Sequence, residues 1–358
     1  MKFAKKLMVC ILALCLLLCV FAGCSTQGAD SSAAQESSQA PQPEESAQSE
    51  ESAGPAQNAE GVKVRVGTLK GPTGMGMVGL MQFAEEGDTS NEYEFSLKGA
   101  PEDVRAMLIS GEVDIAALPT NMAAVLYNQD QGSVQILAAN TLGVLYVLEK
   151  GEPVASVADL AGKTLYITGQ GAAPEYVMGY ILKKNGLDPA SDVSMEYLSE
   201  HAELATKMVA GEVSLGMLPE PFVTTTIFKD DSIKVALDIT KEWNNVSFGT
   251  ALVMGCIVVR TEFAEENPDA VAAFLSEYEE SVNFVNRDIA DAAQLMGKFE
   301  IIAQEVAEKS IPNCNIVYMD GDNMKTSVES FLNVLYEANP QSIGGSLPDE
   351  AFYYQKHR

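Results

Sequence analysis

Met107-Leu-Ile-Ser-Gly-Glu-Val-Asp-Ile-Ala-Ala-Leu-Pro-Thr-Asn121 and Met208-Val-Ala-Gly-Glu-Val-Ser-Leu-Gly-Met-Leu-Pro-Glu-Pro221 are near-copies. They share the frame Gly-Glu-Val-x-apolar-x-x-Leu-Pro, which starts at Gly111 and again at Gly211. The physical logic is the same in both. A helix ends at the glycine, which tolerates a left-handed cap. An apolar-rich run then forms a buried parallel strand. A proline opens the next helix, where its missing N–H does no harm. Working outward, each copy is preceded by a matching unit. Val64–Thr68 reads as a strand and Gly71-Pro-Thr-Gly-Met-Gly76 opens a helix; Thr164–Ile167 reads as a strand and Gly169-Gln-Gly-Ala-Ala-Pro174 opens a helix. Helix, glycine, strand, proline and helix recur in the same order, so the expected architecture is α/β with two lobes, each a mostly parallel sheet flanked by helices. The unit occurs twice, which excludes a solenoid.

The amino-terminal end has a different character. Lys2, Lys5 and Lys6 precede Leu7–Phe21, 15 residues without a charge. That is short for a membrane-spanning helix and suits the core of a signal peptide. It ends in Phe21-Ala22-Gly23-Cys24, which resembles the lipobox of bacterial lipoproteins. The resemblance implies a signal peptide over 1–23, cleavage before Cys24 and lipidation of its thiol, with an ordinary signal peptide as the alternative. Residues 24–61 form a Ser/Ala/Gln/Glu-rich tether, and from residue 25 on it lacks Lys, Arg, aromatic residues, Val, Ile and Leu. Such a segment cannot offset chain entropy by burial and is expected to be disordered, letting a folded body stand off a membrane.

The body, 62–358, is long enough for one large or two medium domains. The chain carries a net charge of −27, and −23 remains for the body once the three leader lysines and the seven acidic tether residues are set aside. A body this acidic lacks the basic face that nucleic acid or anionic lipid requires. Of six cysteines, only Cys256 and Cys314 fall in the body; a disulfide between them and two free thiols both fit the spacing. With two histidines, His201 and His357, and no Cys/His cluster, no metal ligand set is expected, and no cofactor motif is present.

Several stretches of the body are similar to the substrate-binding proteins of nitrate, sulfonate and taurine ABC importers, a family that also includes thiamine-precursor binders. They are Gly111-Glu-Val-Asp-Ile115, Val157-Ala-Asp-Leu-Ala-Gly-Lys-Thr-Leu165, Pro219-Glu-Pro-Phe222, and Phe263 with Asn267-Pro-Asp-Ala-Val-Ala-Ala-Phe274. Their order spans about 62–335. The resemblance implies a two-lobed type II periplasmic-binding-protein fold. Lobe 1 would comprise 62–143 and 253–358, with lobe 2 inserted as 144–252. Crossings near Thr141–Leu145 and Gly249–Val253 would form the hinge. It also implies an extracytoplasmic, membrane-anchored monomer that works with permease and ATPase subunits.

Ligands of open α/β sheets sit at the carboxyl ends of strands, beside helix starts. Four loops qualify. Lys70, Gly71, Thr73, Gly74 and Met75 follow the first strand; Thr120 and Asn121 follow the first repeat strand; Gln170, Gly171 and Ala173 follow the first strand of lobe 2; Glu220 follows the second repeat strand. Thr120 is also a candidate helix cap, Glu220 a candidate first-turn residue, and Met75, Met77 and Met81 candidate core. No arginine and no histidine falls in these loops, and the aromatic-rich cleft of pyrimidine binders is not evident. A sulfonate-, nitrate- or taurine-type anion is therefore expected to rest on backbone N–H groups, Thr73, Thr120 and Lys70, with a thiamine-precursor-like heterocycle as the alternative. An enzyme on the same fold is disfavoured by the lipobox and by the absence of a Gly-x-Ser-x-Gly elbow or a Walker loop. A surface adhesin or sensor lipoprotein is the third class.

Overall fold

The computed structural model describes residues 61–355, apart from positions 131 and 248. The leader, the Cys24 lipidation site, the tether up to residue 60 and His357 lie outside the described residues. The chain runs β1 (Lys63–Leu69), α1 (Pro72–Met75), α2 (Val78–Glu86), β2 (Glu92–Lys98), α3 (Pro101–Ser110), β3 (Ile115–Pro119), α4 (Thr120–Gln129) and β4 (Val134–Thr141). It continues with β5 (Leu145–Glu149), β6 (Thr164–Thr168), α5 (Ala173–Lys184), β7 (Ser194–Leu198), α6 (His201–Ala210), β8 (Leu215–Pro219), α7 (Phe222–Lys229), β9 (Lys234–Asp238) and α8 (Ile239–Val246). It ends with β10 (Gly255–Arg260), α9 (Thr261–Glu266), α10 (Pro268–Arg287), α11 (Ile289–Lys298), α12 (Gln304–Ser310), β11 (Ile316–Met319) and α13 (Gly321–Ala338).

These strands form two sheets, ordered β11-β4-β10-β3-β1-β2 and β7-β6-β8-β5-β9. In the first, β1 is parallel to β2 and β3, whereas β10 runs antiparallel to both β3 and β4. In the second, β6 is parallel to β7 and β8, whereas β5 runs antiparallel to β8 and β9. Leaving the edge strand β11 aside, the two sheets have one plan. Both hold a single reversed strand in the same place, and in both that strand has just crossed from the other sheet: β5 follows β4 through 142–144, and β10 follows α8 through 247–254.

The repeat frame folds as its chemistry dictates. Gly111 and Gly211 take φ of 73° and 77°, the left-handed conformation that ends α3 and α6. Glu112 N–H then reaches back to the Met107 carbonyl and Glu212 N–H to the Lys207 carbonyl, both at 2.9 Å. Val113 and Val213 are buried, and the strands follow. The prolines act one step earlier than expected. Pro119 and Pro219 close their strands, and α4 and α7 begin at Thr120 and Phe222.

The two copies differ in charge at the position after the valine. Asp114 accepts from the backbone N–H of Arg65 at 3.0 Å and from its Nε at 2.8 Å, while Arg65 Nη1 donates to the Gly111 carbonyl at 2.6 Å. The counterpart, Ser214, is exposed and takes part only through its carbonyl, which accepts from Lys150 N–H at 2.8 Å. The Asp114 cluster ties the amino ends of β1 and β3 together, far along the strands from their carboxyl ends.

One apolar cluster joins α3, α4 and α13 of the first sheet to α5 and α8 of the second. At its centre Trp243 is fully buried, with its ring 5.1 Å from Tyr180 and 6.0 Å from Phe331. A second cluster packs α2, α10 and α11 on the first sheet, and a third packs α6 and α7 on the second. Cys256 and Cys314 are both free and buried, so of the two alternatives left open by their spacing the structure holds two thiols. Among the described residues no helix is long and apolar enough to cross a membrane.

Candidate functional site

Strand pairing fixes where the carboxyl ends of both sheets lie. Gly255, the first residue of β10, pairs with Pro119 at the end of β3 and with Thr141 at the end of β4. Leu145, the first residue of β5, pairs with Pro219 at the end of β8. The chain therefore leaves one sheet and enters the other at carboxyl ends. β1 is parallel to β3 and β6 to β8, so all four predicted loops lie at the same ends of their sheets as the two crossings.

The crossings are tightly held. Met254 N–H donates to the Thr141 carbonyl at 2.9 Å, and Leu142 N–H donates to the Asn315 carbonyl at 3.1 Å. The Asn315 carboxamide donates to the Gly143 carbonyl, and Asn315 itself takes a positive φ of 44° to do so. Gly143 has no room for a side chain: a Cβ there would lie 2.1 Å from the Thr240 hydroxyl.

The predicted residues divide by environment. Lys70 is exposed at the end of β1. Gly71 has φ 118°, and its carbonyl accepts from the N–H groups of Gly74 and Met75. Gly74 is obligatory, since a Cβ would sit 1.8 Å from the Leu69 carbonyl oxygen. Thr73 is half-buried, and its carbonyl accepts from Asn140 Nδ2 at 2.9 Å. Met75 is fully buried with Met77, so it belongs to the core and not to the loop surface. Thr120 is the first residue of α4 rather than its cap. Its hydroxyl is buried without an oxygen or nitrogen partner. It faces the Cys256 thiol, which burial pushes up to about 12 while the Thr120 hydroxyl pulls it back. Asn121 is half-buried, its Nδ2 3.4 Å from the Ser342 carbonyl. Gln170 is exposed. Gly171 N–H donates to Glu175 at 2.6 Å, so this loop is folded onto its own helix, and Ala173 is buried at the start of α5.

Glu220 is buried and already engaged. Its carboxylate accepts from Thr224 N–H at 3.1 Å and from the Thr224 hydroxyl at 3.0 Å, so it caps the first turn of α7. Burial raises its pKa, and the hydrogen bonds from Thr224 and Asn313 oppose the rise. Glu220 also lines a groove of about 610 Å³ between α7 and the α12–β11 segment, with Tyr146, Phe228, Lys309 and Asn313. There Tyr146 Oη donates to the Asn313 carbonyl at 3.2 Å and Lys309 lies 4.2 Å from the Phe228 ring centre.

One residue escaped the loop-by-loop reading. His201 begins α6 at the carboxyl end of β7. Its Nδ1 is 2.6 Å from the Thr168 hydroxyl at the end of β6, and its ring lies 5.2 Å from Phe222 at the start of α7. A histidine therefore stands beside the β6 loop, although none falls within the four predicted loops. The signal for it was strand order: β7 neighbours β6, so the residue that follows β7 comes back beside the β6 loop.

Two sheets of one plan, joined by two crossings at strand carboxyl ends, define a two-lobed fold of the periplasmic-binding type. Residues 88–309 match the family model for the periplasmic substrate-binding protein of phosphonate ABC transporters, and the chain belongs to that family. It is similar in structure to an ABC transporter protein from Parabacteroides distasonis, with 26% identity, a TM-score of 0.70 and coverage of 83% of this chain and 100% of the other. The aliphatic sulphonate-binding protein SsuA from Escherichia coli shares the fold at 15% identity and a TM-score of 0.68, covering 83% and 93% of the two chains. So does the nitrate-binding protein NrtA from Synechocystis PCC 6803, at 14% identity and a TM-score of 0.57, covering 79% and 84%. No curated protein sequence matches the chain.

Proposed function

We propose that this substrate-binding protein takes up a small oxyanion of the sulfonate, nitrate or phosphonate type, closes its lobes over it and hands it to an ABC importer. The observation that carries this reading is the meeting of uncapped helix starts at the carboxyl ends of the strands. No side chain caps α1 or α4; the Gly74, Met75 and Thr120 N–H groups are already paired with backbone carbonyls, which leaves those of Thr73 and Asn121 to meet an oxygen-rich ligand. The Thr73 and Thr120 hydroxyls stand beside them, and Lys70 is the cation on the same rim. The described arginines lie elsewhere: Arg65 near the amino end of β1, Arg260 at the far end of the antiparallel β10, Arg105 and Arg287 on α3 and α10. Recognition then rests on neutral dipoles. The family and the sulfonate- and nitrate-binding relatives point the same way. Lobe boundaries at 143/144 and 252/253 belong to the same proposal, with 142–144 and 247–254 as the segments that flex.

Calorimetric titration with methanesulfonate, taurine, nitrate and methylphosphonate tests the proposal, with a thiamine-type pyrimidine as the contrasting arm. One-to-one saturation by an oxyanion, without turnover, is the expected result. Saturation by the pyrimidine alone would reject the anion. Lipid anchoring at Cys24 is part of the proposal and rests on Ala22-Gly23-Cys24 behind an apolar run; labelled palmitate should enter the wild-type chain and not the Cys24→Ala variant.

A further inference from the structure

We infer that His201 is a solute-contacting residue, whose Nε2–H donates to an oxygen of the bound anion with the tautomer fixed by Thr168. The inference rests on the oxyanion reading above and deepens it. His201 is clasped between the two ligand loops of lobe 2. Thr168 is two residues before Gln170, and Phe222 is two residues after Glu220. The ring is thus held by both loops at once, through the 2.6 Å contact at Nδ1 and the 5.2 Å ring contact with Phe222.

The tautomer follows from satisfaction of the Thr168 hydroxyl. Thr168 is 2% exposed, and among the described residues its side chain meets no partner other than His201. A hydroxyl has one proton to place, and leaving it unplaced in a buried site is costly. Donation from Thr168 to Nδ1 places it, and that puts the ring proton on Nε2. Burial also lowers the His201 pKa, which keeps the ring neutral near pH 7 against the pull of Glu200. Nε2 makes no hydrogen bond among the described residues, and the ring is only partly buried. A directed, neutral N–H without a protein partner, at the carboxyl edge of a sheet, suits the same neutral-dipole recognition as the α1 and α4 starts.

The test uses the full chain and two variants. His201→Phe keeps a ring against Phe222 and removes the donor; His201→Gln keeps an amide donor. With methanesulfonate, taurine, nitrate and methylphosphonate as probes, His201→Phe should bind about tenfold more weakly, the loss expected of one hydrogen bond, and His201→Gln should recover most of it. Melting temperatures without probe should differ little among the three proteins. Nitrogen-15 spectra should show the Nε2–H tautomer in the wild type and a shift of that nitrogen when a probe saturates the site. Tight probe binding by His201→Phe, an unshifted Nε2 at saturation, or an Nδ1–H tautomer would each overturn the assignment and leave the oxyanion reading intact. If none of the four anions binds the wild type, the oxyanion reading falls and this inference falls with it.

Discussion

Thr120 and Glu220 are counterparts in the two lobes. Each follows the terminal proline of a repeat strand, and each donates its backbone N–H to a crossing segment: Thr120 to the Met254 carbonyl at 3.2 Å, Glu220 to the Val144 carbonyl at 2.9 Å. Met254 and Val144 in turn stand immediately before β10 and β5, the strands that have changed sheets. The repeat thus ends at the same backbone contact twice. The side chains have diverged, one into a buried hydroxyl set against the Cys256 thiol and the other into a helix-capping carboxylate.

The Glu220 carboxyl makes stability depend on pH in a defined direction. Its folded-state pKa is raised, with burial as the largest cause. Between the unfolded value near 4.5 and the raised folded value, the folded state holds the proton that the unfolded state has lost. This group's contribution is therefore most favourable at low pH and declines as pH rises through the folded pKa. Glu220→Gln should flatten that decline above the unfolded value and leave the protein at least as stable at pH 8. Urea denaturation at a series of pH values reads the difference; a slope unchanged by the substitution would count against it.

Gly143 should be intolerant of any side chain. A methyl group meets the Thr240 hydroxyl at 2.1 Å and Leu252 at 2.9 Å, inside the 142–144 crossing. Gly143→Ala is expected to cost about 2 kcal/mol through overpacking. Adding Thr240→Ala should return part of it, because the two sites share one space. A double-mutant cycle by chemical denaturation measures the coupling, and strict additivity would refute it.

Asp114 should matter for stability and not for the solute. Asp114→Ala strands the Arg65 guanidinium and should cost about 2–3 kcal/mol, discounted because the Arg65 side chain is 36% exposed. Ser214→Ala, at the matching position of the second copy, should stay within about 0.5 kcal/mol. Melting curves compare the two, while titration with a bound anion should show equal affinities for both variants.

Gly74→Ala should damage binding selectively. The clash with the Leu69 carbonyl at 1.8 Å can be relieved only by moving the β1–α1 loop. Affinity for the preferred anion should fall at least about tenfold while the far-ultraviolet dichroism stays unchanged. Wild-type affinity in this variant would remove the loop from the site.

Cys256 and Cys314 should be inert in the folded protein. Both are buried, and burial pushes the Cys256 thiol up to about 12 and the Cys314 thiol higher still. A bulky thiol reagent should label neither peptide in native buffer and both in denaturant, as read by mass spectrometry.

Much of this arrangement was legible in the chain because it depends on local chemistry. Gly111 and Gly211 end helices by a rule that needs no tertiary information, and the strands that follow are apolar enough to be buried in any context. Their duplication gave two lobes. The finer site was less legible, for three physical reasons. Asp114 reads like its neighbours until Arg65, 49 residues away, is seen to close on it. Glu220 could have faced solvent, solute or its own helix, and only the position of Thr224 relative to Asn313 decides. His201 lies at no predicted loop, because its place beside Thr168 depends on strand order, which a sequence does not print. The strand β5 reads as an ordinary buried segment, and nothing local marks it as running against its neighbours.

The reversed strand in each sheet also sets an order of assembly. All five strands of the second sheet come from one uninterrupted stretch, Leu145–Asp238, whereas the first sheet waits for β10, more than a hundred residues after β4 ends. As the chain emerges from its amino end, the inserted lobe is complete while the flanking lobe still lacks an interior strand. Contacts so distant in sequence close slowly. The inserted half is therefore the first to be complete, and the sheet built from both flanking segments is the last to become whole.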